Sequence, residues 1–183
     1  MLIIGEKINS SRKDIKDMVE GKNKEFIQGL AQKQVDGGAQ MLDLNIGTIR
    51  KSEPEDMKWL VKTVQEAVDV PLCIDSPNHE AIKAGLKVYD WDKGKALINS
   101  VTAEREKLEL IFPLVKKYKC SVVALTMDER GIPQDSKERF KIADGLIRKL
   151  TNEGIPIEDI YILILWHCRS VLIFKIPILF WRL

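Results

Sequence analysis

Leu72-Cys73-Ile74-Asp75-Ser76 is a short apolar run that stops on a carboxylate. A brief continuous run of this kind reads as a buried strand. A buried carboxylate is costly unless it is hydrogen-bonded. Asp75 therefore belongs where the strand leaves the core, facing a ligand or a well-made polar network. The same plan recurs on either side. Leu2–Gly5 reads as a first strand with Glu6, Lys7 and Asn9 at its exit, and Gln40–Leu44 as a second with Asp43 and Asn45 at its end. Ala96–Ile98 reads as a fourth strand tipped by Asn99 and Ser100, Ser121–Thr126 as a fifth, and a sixth begins at Ile160–Leu165.

Helical periodicity fills the intervals. Phe26, Ile27, Leu30, Ala31 and Val35 form one apolar stripe, closed by Gly37-Gly38. Ser52 and Glu55 fit a capping box in front of Met57, Leu60, Val61, Val64 and Val68. Asn78–Leu86 is a short helix. Leu108, Ile111, Phe112 and Val115 carry another, which Pro113 is expected to kink or shorten. Asp135 and Glu138 are placed to cap a helix that turns Phe140, Ala143, Ile147 and Leu150 inward.

Strand exits recur about every 30 residues, the size of one strand–helix unit. Alternating strands and helices imply a parallel sheet. No glycine-rich dinucleotide fingerprint follows the first strand. Polar residues at nearly every strand exit fit a barrel better than a doubly wound sheet, because barrel sites collect there. The expected fold is thus α/β, a TIM-type (β/α)8 barrel. An eightfold barrel takes about 250 residues. The 183 residues here hold only part of one, about six units at this spacing.

Charge excludes one class of partner. The formal net charge is +2, and no acidic residue follows Asp159, whereas Arg169, Lys175 and Arg182 do. Without those three cations the chain lies one unit to the negative side of neutral. Such a body has no general attraction for nucleic acid, which needs a clustered basic face. Cys73, Cys120 and Cys168 are distant and odd in number, with no Cys/His cluster. A disulfide scaffold and a standard zinc site are both disfavoured, so no metal is expected. Met1–Glu6 has no signal-peptide pattern, and a reducing cytoplasm is the expected setting. Cys73 reads as a small buried residue and His79 as a solvated helix start.

The segments Gly5-Glu6-Lys7-Ile8-Asn9, Asp43-Leu44-Asn45, Leu72–Ser76 and Ile98-Asn99-Ser100 carry a resemblance. It continues through Ala103-Glu104-Arg105-Glu106-Lys107, Leu125-Thr126-Met127, Gly131-Ile132-Pro133 and Ile157–Ile162. Together they resemble the methyltetrahydrofolate:corrinoid methyltransferases. That family shares its pterin-binding barrel with dihydropteroate synthase and the folate domain of cobalamin-dependent methionine synthase. Each motif alone is weak; their order and spacing are specific.

The resemblance implies a pterin-binding barrel over residues 1–162. It also implies methyl transfer from 5-methyltetrahydrofolate to the cobalt of a corrinoid (cobalamin) carried by a separate protein. Asp75 and Asn99 match residues that hydrogen-bond the pterin and are the candidate catalytic pair. Glu6, Asn9, Asp43 and Asn45 complete the candidate substrate-binding set. The family dimerises. One departure stands out: the family has an Asp, then a Pro, at the tip of strand six, where this chain has Leu163-Ile164. No segment matches the family's seventh strand with its Asn. Residues 163–183 therefore read as an aberrant apolar tail on a partial barrel, and activity is expected to be impaired. A membrane span needs about 20 mostly apolar residues, and His167, Arg169, Lys175 and Pro177 interrupt this one. Two alternatives are a dihydropteroate synthase-like condensing enzyme and a non-catalytic folate-binding remnant. The first lacks its Asn-Val-Thr-Pro-Asp segment here, where Ile8-Asn9-Ser10-Ser11 stands instead.

Overall fold

The computed structural model describes residues 2–47, 52–164 and 172–175. It divides into two compact units, Met1–Leu97 and Ile98–Leu183. The first contains β1 (Ile4–Asn9), α1 (Lys13–Glu20), α2 (Lys24–Asp36), β2 (Met41–Asn45), α3 (Glu53–Gln65), β3 (Leu72–Asp75) and α4 (His79–Val88). The second takes up β4 (Leu97–Val101) and continues through α5 (Arg105–Tyr118), β5 (Ser121–Leu125), α6 (Ser136–Asn152), β6 (Ile160–Ile164) and β7 (Leu172–Lys175). Strands alternate with helices from β1 to β6. That is the α/β order of an incomplete TIM-type barrel. Most of the expected tail, 165–171 and 176–183, lies outside the described residues.

In the first unit β1, β2 and β3 are parallel neighbours. Their core is formed by Ile8, Leu42, Leu44 and Ile74 from the strands and by Ile27, Met57, Leu60, Val61, Val64 and Leu86 from the helices, none of them exposed. The stripe on α2 is narrower than its periodicity suggests. Ile27 and Ala31 are buried, but Phe26 is left largely in solvent.

β1 carries a bulge. Gly5 pairs with Leu42 and Ile8 with Leu44, so three steps on one strand match two on the other. The Lys7 N–H released from the ladder donates instead to Gln34 Oε1 on α2, at 2.8 Å. That contact requires Gly5. A Cβ there would lie 2.8 Å from Gln34 Oε1, 2.9 Å from Leu42 Cδ2 and 3.2 Å from Ala39 Cβ. Gly5→Ala is expected to destabilise the fold by about 1–3 kcal/mol, the usual cost of overpacking. Urea unfolding monitored by circular dichroism checks this.

In the second unit β4 to β7 lie side by side in that order. β5 and β6 are parallel, and β6 and β7 antiparallel. Thr126 ties β5 to β6, its N–H and hydroxyl both donating to the Leu163 carbonyl. β4 runs through Asn99 and Ser100 to the buried Val101, so these two polar residues lie within the strand rather than beyond it.

Two helix expectations change. α5 passes through Pro113 without a break. Its buried Leu108, Ile111, Leu114 and Val115 contribute on the order of 6 kcal/mol or more, which exceeds the roughly 3 kcal/mol a helical proline costs. On α6, Asp135 caps as expected by accepting from Lys137 N–H at 3.0 Å. Ile147 and Leu150 face inward, but Phe140 is 74% exposed. The neighbouring Arg139 takes the buried place, donating to the Pro133 carbonyl at 2.7 Å.

Candidate functional site

The parallel register places Asn9 opposite Asn45, and Asn45 opposite Asp75. Three polar residues thus form one row at the C-terminal ends of β1, β2 and β3. The row depends on the β1 bulge, since in an unbroken register from Gly5 onward Ile8 would stand opposite Asn45 in the place of Asn9. Bulges commonly re-aim side chains beside active sites in this way.

Asn45 Nδ2 donates to Asp75 Oδ2 at 2.6 Å. The opposite amide orientation would set an oxygen against a carboxylate, so chemistry fixes the assignment. Asn45 Oδ1 is then left buried without a hydrogen-bond partner among the described residues. An unmade bond of this kind costs about 1–3 kcal/mol. Gly47 closes over that oxygen with φ at +52°, and a Cβ there would lie 3.0 Å from Oδ1 and 2.9 Å from the Ser11 nitrogen. Ser10, whose N–H donates to the Asn45 carbonyl at 2.8 Å, also has a buried hydroxyl without a partner among the described residues.

Burial raises the Asp75 pKa to about 6; the Asn45 hydrogen bond opposes this, and the charge of Glu6 reinforces it. Asp75 is therefore a carboxylate that is still ionised at neutral pH but held there at a cost. Asp43 is buried in mid-β2, opposite Cys73. Burial, then the charge and hydrogen bond of Asp43, raise the Cys73 thiol well above its ordinary value. The thiol stays protonated and serves as packing and as a donor, not as a nucleophile.

Glu6 is exposed on the bulge of β1. Asn9 is half-buried, and its Oδ1 accepts from both the N–H and the hydroxyl of Ser11. Five of the six candidates, Glu6, Asn9, Asp43, Asn45 and Asp75, thus belong to the first unit. Asn99 lies in the second unit, half-buried at the centre of β4.

A second polar cluster lies just past Asp75, and sequence reasoning missed it. Glu53, the first residue of α3, is wholly buried. It accepts from the Ser76 hydroxyl at 2.5 Å and from Asn78 Nδ2 at 3.2 Å. The expected capping box is absent. Ser52 makes no cap bond and instead donates to Asp56 at 2.9 Å, while Glu55 is exposed and pairs with Lys58. The only sequence sign of Glu53 was the acid-rich start Glu53-Pro54-Glu55-Asp56. His79 lies partly exposed, 3.3 Å from Glu80. Among the described residues no group of three His, Cys, Asp or Glu could hold a metal ion, and no helix is long and apolar enough to cross a membrane.

Comparison with known proteins bears on residues 6–160 as a whole. The family model described as "Pterin binding enzyme" matches residues 6–160. The methylcorrinoid:tetrahydrofolate methyltransferase of Eubacterium limosum is 35% identical over 164 residues, covering 88% of this chain and 59% of that protein. The methionine synthase of Mycobacterium tuberculosis is 28% identical over 169 residues, and that of Mycobacterium leprae 28% over 158. The chain spans 59% of the first relative's length and 14% and 13% of the two synthases.

Proposed function

We propose, from the premise that this chain belongs to the pterin-binding enzyme family, that it binds 5-methyltetrahydrofolate at the row Asn9–Asn45–Asp75. We also propose that its parent chemistry is methyl exchange between that folate and the cobalt of a corrinoid (cobalamin) held by a separate protein. The observation that carries the binding half is the Asn45–Asp75 pair. A pterin edge offers a ring N–H beside an exocyclic amine, and a carboxylate takes two such donors together. Asn45 holds one carboxylate oxygen, and its own Oδ1 has no donor among the described residues. Asp43 supports the row from within β2, Asn9 flanks it, and Glu6 supplies charge near Asp75. Asn99 is assigned to the pterin on the resemblance alone. A corrinoid protein partner, homodimeric assembly and a cytoplasmic setting complete the proposal. The buried thiols of Cys73 and Cys120 support a reducing compartment.

The corrinoid would supply the cobalt that gives or takes the methyl group. On the folate side the methyl sits on a tertiary amine, a poor leaving group. Transfer therefore needs a proton or a strong hydrogen bond at that nitrogen in the transition state. Leu163, at the family's Asp position, carries no such donor. We therefore read this chain as a folate binder with impaired transfer. The relative's printed name, methylcorrinoid:tetrahydrofolate, gives the exchange in the other direction; one site serves both, since forward and reverse share a transition state.

Calorimetry with methyltetrahydrofolate should show binding. Transfer between labelled methyltetrahydrofolate and reduced cobalamin should run roughly 100-fold or more below the Eubacterium limosum enzyme assayed alongside, the scale of a missing general acid. Transfer at a comparable rate would overturn the impairment. Absence of binding would overturn the whole reading.

A further inference from the structure

Successive residues of a strand point to opposite faces. Asp75 meets Asn45 of β2 at 2.6 Å, while Ser76 reaches Glu53 of α3 at 2.5 Å. The end of β3 is thus held between a sheet neighbour and a helix. Residues 76–78 are wired throughout. Ser76 Oγ accepts from the Asn78 N–H at 2.9 Å, and Asn78 Oδ1 accepts from the Glu80 N–H at 3.0 Å, opening α4. Pro77 restricts both its own backbone and that of Ser76. Farther along, α4 is seated on α3 so closely that a Cβ on Gly85 would lie 2.9 Å from Met57 Cγ.

A wholly buried carboxylate is an expensive way to join a helix to a turn. An apolar contact of the same shape would hold the two together at least as well. What the carboxylate adds is direction: two fixed acceptors, each matched to one donor of the turn. We infer that Glu53 is a positioning residue for the pterin site, clasping Ser76 and Asn78 so that the adjacent Asp75 carboxylate is fixed in orientation. The inference rests on the reading of Asp75 as the pterin ligand. Sites of this kind need their reacting or binding groups held to within about 0.5 Å.

The test uses the full chain and three variants. Glu53→Gln keeps the shape but leaves one acceptor oxygen for the two donors, Ser76 Oγ and Asn78 Nδ2. It should weaken methyltetrahydrofolate binding roughly 10-fold or more, in line with the cost of small misplacements in active sites. It should also shift the titration of the Asp75 carboxyl carbon seen by NMR without ligand, against a background of Glu6, Asp43 and Cys73. Adding Asn78→Asp restores the match, because the amide introduced by Glu53→Gln can then donate where Glu53 accepted, and Asp remains a good helix cap. The paired variant should recover both affinity and titration. Ser76→Ala is a milder cut of the same clasp and supplies both readouts if Glu53→Gln does not fold. A lower melting temperature with Asp75 titration and affinity unchanged would overturn the inference. The ligand-free titration keeps the two readings apart: if the parent chain does not bind the folate, the functional proposal fails, while the titration still decides whether Glu53 positions Asp75.

Discussion

Asp75→Asn is expected to abolish most of the folate affinity and, at the same time, to raise the melting temperature. The substituted amide still offers an oxygen to Asn45 Nδ2, so the strand-to-strand bond at 2.6 Å survives. It has no second oxygen for the adjacent pterin donor, which its own NH2 would face instead. Hydrogen bonds to charged groups are worth about 1.5–3 kcal/mol, so a loss of roughly 100-fold in affinity follows. The stability gain comes from burial. Asp75 titrates at about 6 instead of 3.8, a cost of up to about 3 kcal/mol. Because the group is not fully buried, roughly 2 kcal/mol is the better figure.

The sign follows from linkage. The folded pKa lies above the unfolded one, so the carboxylate lowers stability as pH rises from about 4 through about 6, and the penalty is complete above about 7. Asn does not titrate. Its advantage should be absent near pH 4 and full by pH 7.5, where it amounts to about 4–8 °C for a chain of this size. Calorimetric scans from pH 4 to 8, with folate titrations at pH 7.5, give both readings. A fall in melting temperature at pH 7.5, or unchanged affinity, would contradict the account.

Asn45→Asp should do the reverse. It replaces the donor at 2.6 Å from Asp75 with a second carboxylate, close to the Glu6 charge that already acts on the site. Two carboxylates at that distance share one proton. At pH 8 the folded pair must either ionise fully or hold its proton against the solvent, and a destabilisation of about 3 kcal/mol or more is expected, the scale of an uncompensated buried charge. At pH 5 the shared proton restores the bond and most of the stability. Acid should therefore stabilise this variant relative to its own value at pH 8, whereas Asp75→Asn shows its gain at high pH. Folate binding should be lost at pH 8 and partly return as the pH falls. The same scans separate the two, and equal stability of Asn45→Asp at pH 5 and 8 would show that the two side chains do not share the proton.

Much of this site was legible because strands announce their ends. An apolar run closed by Asn or Asp marks where a buried strand meets solvent or ligand, and Asn45 and Asp75 stand at such ends. Asn99 was read one step too early: the polar pair Asn99-Ser100 looked like an exit, but Val101 returns to the core. Phe140 has the correct helical spacing, yet spacing cannot show how far the core extends, and there Arg139 has the local carbonyl that lets it bury. Glu53 was invisible for a related reason. Three acids share the first turn of α3, two of them buried, and that Glu53 is the one turned to the β3 exit is decided by Ser76 and Asn78, more than twenty positions away. Local pattern finds where a polar group can be tolerated. Only tertiary partners decide which one is required.

The antiparallel pairing of β6 with β7 has a consequence for assembly. β7 occupies the β6 edge along Tyr161–Ile164, so those backbone donors and acceptors are no longer a template for another chain. A parallel strand of the kind a barrel adds beside β6 would first have to displace β7. Recruitment of an extra strand at this edge, whether from further sequence or a second copy, becomes a strand-exchange reaction whose rate is set by how quickly β7 detaches.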